Sequence, residues 1–558
     1  MKIDIGGVNV KRWIVLLIIL CGGLAGCQAT TANPATSDSR GVMTKHQVLN
    51  LATVRPLTTL DADKMTTFGR LNNTIEGLYQ TNRDGQAALA LAKSVKVNAA
   101  KTTYTFTLWK DSYWSNGDLI TAHDFVYSWR RALDPRTKAP QSDLFRGIQN
   151  ARQIITGRLP AQRLGVQAVG NFKLVVRLDH PMAELPQKLA YPLFGPQNEA
   201  VAKKYGKKYA TKPEYQVYAG PFMVSRHGNT RNCWHMVPNP HYWDRKHVYL
   251  QRINVKVYHN QRKAWADYLA GKLDEVRLLT KTNVQHYEHK DDYTARPYSR
   301  MVTISYQQYG PSATINRLLQ QRGARLAISH AIDRKAFARE TYGSTSIPAQ
   351  GIVPAGLSRG MRGTADFANA QPEQQTLKYQ PQTAKKEWLA ALKTIHQKRV
   401  TLTLSYQDDA NGHLMATQLR RQLTQQLPGL TIHLRRLPWV VNTRAQPLNG
   451  DLNLSTLRAQ YADPLAVLSR FTSNSTANTS YWSNADYDRL IEQASTAPTF
   501  NAQRWRTMLR ATGILMAEQG VTPLIQPAST YLVNPHLNGV QFNTVGTQSN
   551  FKGAYFVK

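Results

Sequence analysis

Cysteine and acidic side chains are both scarce in this 558-residue chain, and each shortage excludes a class of protein. Three cysteines, Cys21, Cys27 and Cys233, are too few for a disulfide framework, so stability has to come from buried apolar surface. The 35 Asp and Glu face 70 Lys and Arg, a formal net charge of +35 that predicts attraction to polyanions. The basic residues are scattered in short clusters such as Lys203-Lys204 and Arg435-Arg436. No RNP, helix-turn-helix or zinc-finger pattern accompanies them, so the reading is a solvated cationic surface and no nucleic-acid partner.

Catalytic signatures are absent too. There is no GxxxxGK[ST] phosphate loop, no HExxH and no GxSxG elbow. His286 and His289 flank Glu288, but Lys290, Asp291 and Asp292 follow, which makes a polar turn rather than a metal site. Asp408 and Asp409 are neighbours at a strand end, where side chains point apart, so they form a turn rather than an acid/base pair. Cys233, beside Trp234, is expected to be a small buried hydrophobe. The chain is read as a non-enzyme without cofactor or metal.

What is present begins at the N-terminus. Lys11 and Arg12 precede the apolar run from Trp13 to Leu20, and small residues follow, which is the layout of a secretory signal too short to span a bilayer comfortably. Its end, Leu24-Ala25-Gly26-Cys27, resembles the lipobox of bacterial lipoproteins, in which the cysteine is diacylglycerol-modified and becomes the mature N-terminus. Residues 1–26 are therefore expected to be removed, Cys27 to carry lipid at the outer face of the cell membrane, and residues 27–45 to act as a tether.

Beyond the tether, the length and a 42% hydrophobic content suit two or more packed lobes. Tyr104, Phe106 and Leu108 alternate with threonines as in a half-buried strand. Thr121 with Asp124 resembles a capping box, and the helix it opens should stop at Asp134-Pro135. Strands are expected at 172–178 and 253–257, and a helix over 325–340. Leu402, Leu404 and Tyr406, a helix over 413–427, and Ile432 with Leu434 make a β-α-β unit. A late helix around Trp505 to Leu515 and a strand at 522–526 complete a mixed α/β pattern.

Several segments in register resemble the peptide/nickel family of extracellular solute-binding proteins. The clearest is residues 104–135, with Trp114-Ser115-Asn116-Gly117 before a helix opening Thr121-Ala122 and continuing Asp124-Phe125. Leu60-Asp61 with Glu76-Gly77-Leu78, residues 164–168, Ala219-Gly220-Pro221-Phe222, residues 239–244, Ala331-Ile332-Asp333-Arg334 and residues 481–488 follow in the family's order. The resemblance implies a two-lobed periplasmic-binding-protein-like fold (type II, large peptide-binding class). Lobe I would comprise 46–80, 198–305 and 525–558 with a subdomain at 81–197, and lobe II 306–524. It also implies a monomer that captures oligopeptides and delivers them to an ABC permease with separate ATPase subunits. The alternatives are a receptor for a signalling peptide or a non-peptide ligand, and a surface adhesin binding anionic cell-wall polymers.

The same resemblance assigns ligand contacts to Thr456, Leu457, Arg458, Ala459 and Gln460, with Thr67, Gln141, Trp439 and Asp463. Typical oligopeptide binders carry an ammonium-pairing aspartate where this chain has Gln460, a tryptophan where it has Leu457, and a tyrosine where it has Gln141. If the register is displaced, Asp463 is the anchoring acid instead. Replacing Cys27 with Ala is expected to move the protein from the membrane fraction to the medium on cell fractionation; unchanged retention would mean an uncleaved anchor.

Overall fold

In the computed structural model, which describes residues 41–54, 56–83, 85–360, 365–371, 375–438, 450–546 and 549–558, apolar alternation organises three principal sheets. Strand Thr103–Leu108 buries Tyr104, Phe106 and Leu108 and lies between Ala92–Val97 and Lys173–Arg177, with Val166–Ala168 at the edge. Helix Ala122–Leu133 packs on this sheet. Its capping box closes as expected, with the Thr121 N–H donating to the Asp124 carboxylate at 2.8 Å, and it ends at Asp134 ahead of Pro135. Trp129, fully buried, donates its indole N–H to the Phe194 carbonyl at 3.0 Å, which removes the penalty of burying that donor.

A second sheet has seven strands, in the order Tyr293–Pro297, Ala528–Val533, Glu275–Leu278, Val48–Thr53, Arg252–Val257, Cys233–Pro238 and Phe222–Val224. The motif glycine Gly220 leads into its last strand. A Cβ there would lie 2.5 Å from the Thr74 carbonyl carbon and the Ile75 nitrogen, so only glycine lets the two backbones approach. The third sheet has six strands, in the order Ile347–Pro348, Val521–Gln526, Arg300–Tyr306, Leu452–Arg458, Val400–Gln407 and Leu430–Leu437. Its last two are parallel from Val400↔Leu430 to Gln407↔Leu437 and are joined by helix Ala410–Gln426, the expected β-α-β unit. Asp409 is that helix's N-cap, accepting from the Gly412 N–H at 2.7 Å, which explains the paired aspartates without chemistry.

The chain passes between the two large sheets twice, each time within one or two residues. Tyr298 and Ser299 separate strand Tyr293–Pro297 from Arg300–Tyr306, and Pro527 separates Val521–Gln526 from Ala528–Val533. Strand Arg300–Tyr306 therefore belongs to the six-stranded sheet, as does Ile525, although the expected lobe division placed both with the seven-stranded one. Alternation at Val302, Ile304 and Tyr306 reveals a strand but not which sheet it joins. Each large sheet has its own buried cluster: Leu51, Phe222, Ile253 and Val255 on one side, Ile304, Trp388, Leu404 and Leu452 on the other.

Two further expectations change. Residues 325–340 form two helices, Arg322–His330 and Arg334–Thr341, because Asp333 caps the second through a 3.0 Å bond from the Ala336 N–H. Cys233 is exposed, not buried. It opens its strand, and pairing with Phe222–Val224 starts only at Met236, so that strand does not cover it.

Arg334 explains the Ala331-Ile332-Asp333-Arg334 motif. Its buried guanidinium donates to the carbonyls of Pro523 at 2.9 Å, Leu377 at 2.8 Å and Ser329 at 3.1 Å, tying a helix to the sheet and a loop. Burial pushes its pKa down to about 10, still charged at neutral pH. Replacing Arg334 with Leu takes the donor from the Pro523 and Leu377 carbonyls at about 1–3 kcal/mol each, so urea unfolding should show a loss above roughly 2 kcal/mol. An unchanged midpoint would contradict this role.

Candidate functional site

Strand Leu452–Arg458 is fully paired on one edge and half-open on the other. It pairs along its whole length with Arg300–Tyr306, but with Val400–Gln407 only at Leu452 and Asn453. From residue 454 onward the second edge has no strand partner among the described residues. Such an edge offers a row of backbone donors and acceptors to an added extended chain. Thr456 is exposed there, Leu457 and Arg458 are half-buried, and the buried Ala459 donates its N–H to the Ser299 carbonyl at 3.1 Å.

Past this strand, Gln460, Tyr461 and Ala462 face Thr81, Ala87, Gln187 and Tyr191 across a crevice bounded by Val545 and Gly546. The half-buried Gln460 amide makes no side-chain hydrogen bond among the described residues. Tyr191 is the meeting point of the expected contacts. Its ring stands edge-on to Phe68 with centroids 5.4 Å apart, and it lies close enough to Gln141 and Arg458 for both to act on its hydroxyl. Burial, the dominant effect, pushes the pKa of that hydroxyl up. Gln141 donates to the Met65 carbonyl at 2.9 Å and so holds the loop carrying the exposed Thr67. Gln141, Gln460 and Arg458 are thus brought around one tyrosine. Trp439 lies outside the described residues, as does Cys27.

Asp463 has a different role from the expected one. It is buried, and both its oxygens pair with Arg504, at 2.7 and 3.1 Å, while one also accepts from the Leu465 N–H. A carboxylate so occupied is part of the scaffold, and a ligand ammonium would have to break these bonds to reach it. Arg504 also reaches Glu184 at 3.1 Å, and Lys188 lies 3.7 Å from Glu184 and over the Tyr461 ring. All four ionic groups are buried or nearly so. Burial pushes the Glu184 pKa up and the Lys188 pKa down, and each is countered by the opposite charges beside it. Glu184 and Lys188 precede the first crossing and Asp463 and Arg504 lie between the two, so the cluster ties the two halves together beside the crevice.

Glu184, Lys188, Tyr191 and Arg504 were not anticipated. A sequence signal existed for Arg504: a charged residue at a position of helix Ala502–Ala517 that aligns with the apolar Met508, Ala511 and Leu515. No group of three or more His, Cys, Asp or Glu among the described residues could hold a metal.

Two α/β halves joined by two short crossings, with a crevice lined from both, define a bilobal binding protein. The chain belongs to the bacterial extracellular solute-binding proteins, family 5, whose middle-region model matches residues 86–479. A dipeptide-binding protein of Lactococcus lactis subsp. cremoris is 32% identical over 495 residues, 87% of this chain and 89% of the relative. The peptide-bound OppA of Listeria monocytogenes matches with a TM-score of 0.80 at 30% identity, covering 92% of this chain and all of that one. The pheromone receptor PrgZ matches with a TM-score of 0.80 at 28% identity and the same coverage.

The cross-half tie is testable. Glu184→Gln leaves the Arg504–Asp463 pair intact but removes the carboxylate that the first half presents to it. Solution scattering should then show a larger radius of gyration than wild type; identical profiles would mean that the pair does not hold the halves together.

Proposed function

We propose that this protein is the lipid-anchored, extracellular substrate-binding subunit of an ABC importer, capturing oligopeptides between its lobes and delivering them to the permease. The observation that carries the reading is the edge of residues 454–458, which has no strand partner among the described residues, beside a crevice lined from both halves. An extended peptide would add as a strand along that edge, with its backbone held by main-chain hydrogen bonds and its side chains in pockets. That mode is sequence-tolerant, as import of mixed peptides requires. The names of the relatives, dipeptide-binding protein and peptide-bound OppA, support the same ligand class. The lobes would hinge at residues 298–299 and 527. Cys27 would anchor the mature chain, and its cationic surface would attach to anionic wall polymers in a salt-dependent way.

A second reading, a receptor for a signalling peptide, is favoured by the match to the pheromone receptor PrgZ and differs in partner rather than in ligand class.

Calorimetry with matched peptides tests the capture reading. The neutral Gln460 amide offers no full charge to offset desolvation of an α-ammonium. Free and N-acetylated forms should therefore bind within about threefold of each other, and Gln460→Asp should create a preference for the free amine. Absence of binding to any peptide would overturn the proposal, and a strong wild-type preference for the free amine would show that another group reads the terminus.

A further inference from the structure

Three arginines meet where the two sheets join, and no acid accompanies them. Arg300 and Arg458 are direct cross-strand partners in the six-stranded sheet, a like-charged pair that destabilises a ladder when nothing neutralises it. Arg277 comes from strand Glu275–Leu278 of the other sheet and acts on Arg300 across the crossing at Tyr298 and Ser299. Burial first, then the positive charges of Arg277 and Arg458, push the Arg300 pKa down to about 10.

Several of the protein's other inward-facing arginines are paired with acids. Arg131 bonds Asp61 and Asp63, Arg70 and Arg296 share Glu275, and Arg504 holds Asp463 and Glu184. By contrast, Arg277, Arg300 and Arg458 have no carboxylate within ion-pair distance among the described residues. The Nε atoms of Arg277 and Arg300 are buried without a partner among the described residues, where the trio's one side-chain bond is from Arg300 Nη2 to the Ser529 hydroxyl at 3.2 Å. Tyr298, whose ring lies 5.3 Å from the Arg300 guanidinium carbon, softens but does not cancel the charge. Desolvated, unpaired guanidinium donors are costly unless an anion completes them. All three residues are half-buried rather than fully buried, and Arg458 ends the strand edge that has no strand partner among the described residues, which gives an anion a route to them.

We propose that Arg277, Arg300 and Arg458 form an anion-binding site where the two sheets join, and that it takes a carboxylate of the captured peptide. This rests on the peptide-capture reading and adds a charge preference to it. Guanidinium forks match a carboxylate in bidentate geometry, and contributions from both sheets would make the bound anion favour lobe closure. The carboxylate is the peptide's C-terminus or an acidic side chain. A chain with a net charge of +35 also draws acidic peptides towards the cleft.

The test uses full-length mature protein and a calorimetric peptide series: one peptide with a free C-terminus and one Glu, its C-terminal amide, its Glu-to-Gln form, and the doubly neutral form. The wild type should lose at least about tenfold in affinity for the doubly neutral peptide, and whichever single neutralisation reproduces the loss identifies the source of the carboxylate. In Arg458→Gln the gap between acidic and neutral peptides should shrink to under about threefold. Affinity for the acidic peptide alone should fall with added sodium chloride, which decides the matter from wild type if the variant does not fold. Equal wild-type binding of all four peptides would overturn the anion site while leaving peptide capture intact. No binding of any of the four would overturn the capture reading itself, and this inference with it.

Discussion

Two short backbone crossings, at Tyr298-Ser299 and at Pro527, are the constraint on which the rest of this structure depends. Each connects a strand of one large sheet directly to a strand of the other, so the sheets share two adjacent, antiparallel threads. Gln526 reinforces them by donating to the Tyr298 carbonyl at 3.3 Å. Because each crossing is short, elements flanking it are held close whatever the lobes do further out. Arg300, Ser529 and Arg277 meet for this reason, and the open edge of strand Leu452–Arg458 lies next to the junction. Further from it, contact between the halves relies on side chains, chiefly Glu184 with Arg504, which can form and break.

No disulfide supports either half among the described residues, and several charged groups taken into the interior are matched by partners. Arg334 and Arg325 satisfy backbone carbonyls, and Asp463 neutralises Arg504. Buried ion pairs contribute little to net stability once desolvation is counted, but losing one partner is expensive. They therefore act as position markers that penalise alternative packings. The arginine trio, with no carboxylate within ion-pair distance among the described residues, contrasts with these pairs, as expected where function and local stability compete.

Elements with a local signature were legible from the sequence. Strand Thr103–Leu108 alternates because one face is packed and one is not, and the Thr121–Asp124 box announces its helix with partners only three residues apart. The β-α-β unit over residues 400–437 shows the switch from period two to period 3.6. The break at Asp333 was not legible, because a capping aspartate inside a continuous apolar stripe looks like a surface residue. Asp463 was readable as an acid near the site, but its partner Arg504 lies on a distant helix, so its commitment became visible only with the fold. The register that sets Arg300 against Arg458 is likewise a property of sheet pairing: Arg458 was an expected ligand contact, but Arg300 does not stand out alone in a chain with 70 basic side chains. The match to the family supplied the positions of Gln141 and Gln460; what surrounds them had to come from the structure.

The central claim is that the crevice between the halves is filled by peptide. Native mass spectrometry of the mature protein, purified without unfolding, tests it most directly. The account predicts a distribution of added masses corresponding to short peptides, lost on denaturation and identifiable by fragmentation, with acidic members over-represented. A protein that sprays at its bare polypeptide mass and stays so after incubation with a peptide mixture, or that carries a single non-peptide adduct, would contradict it.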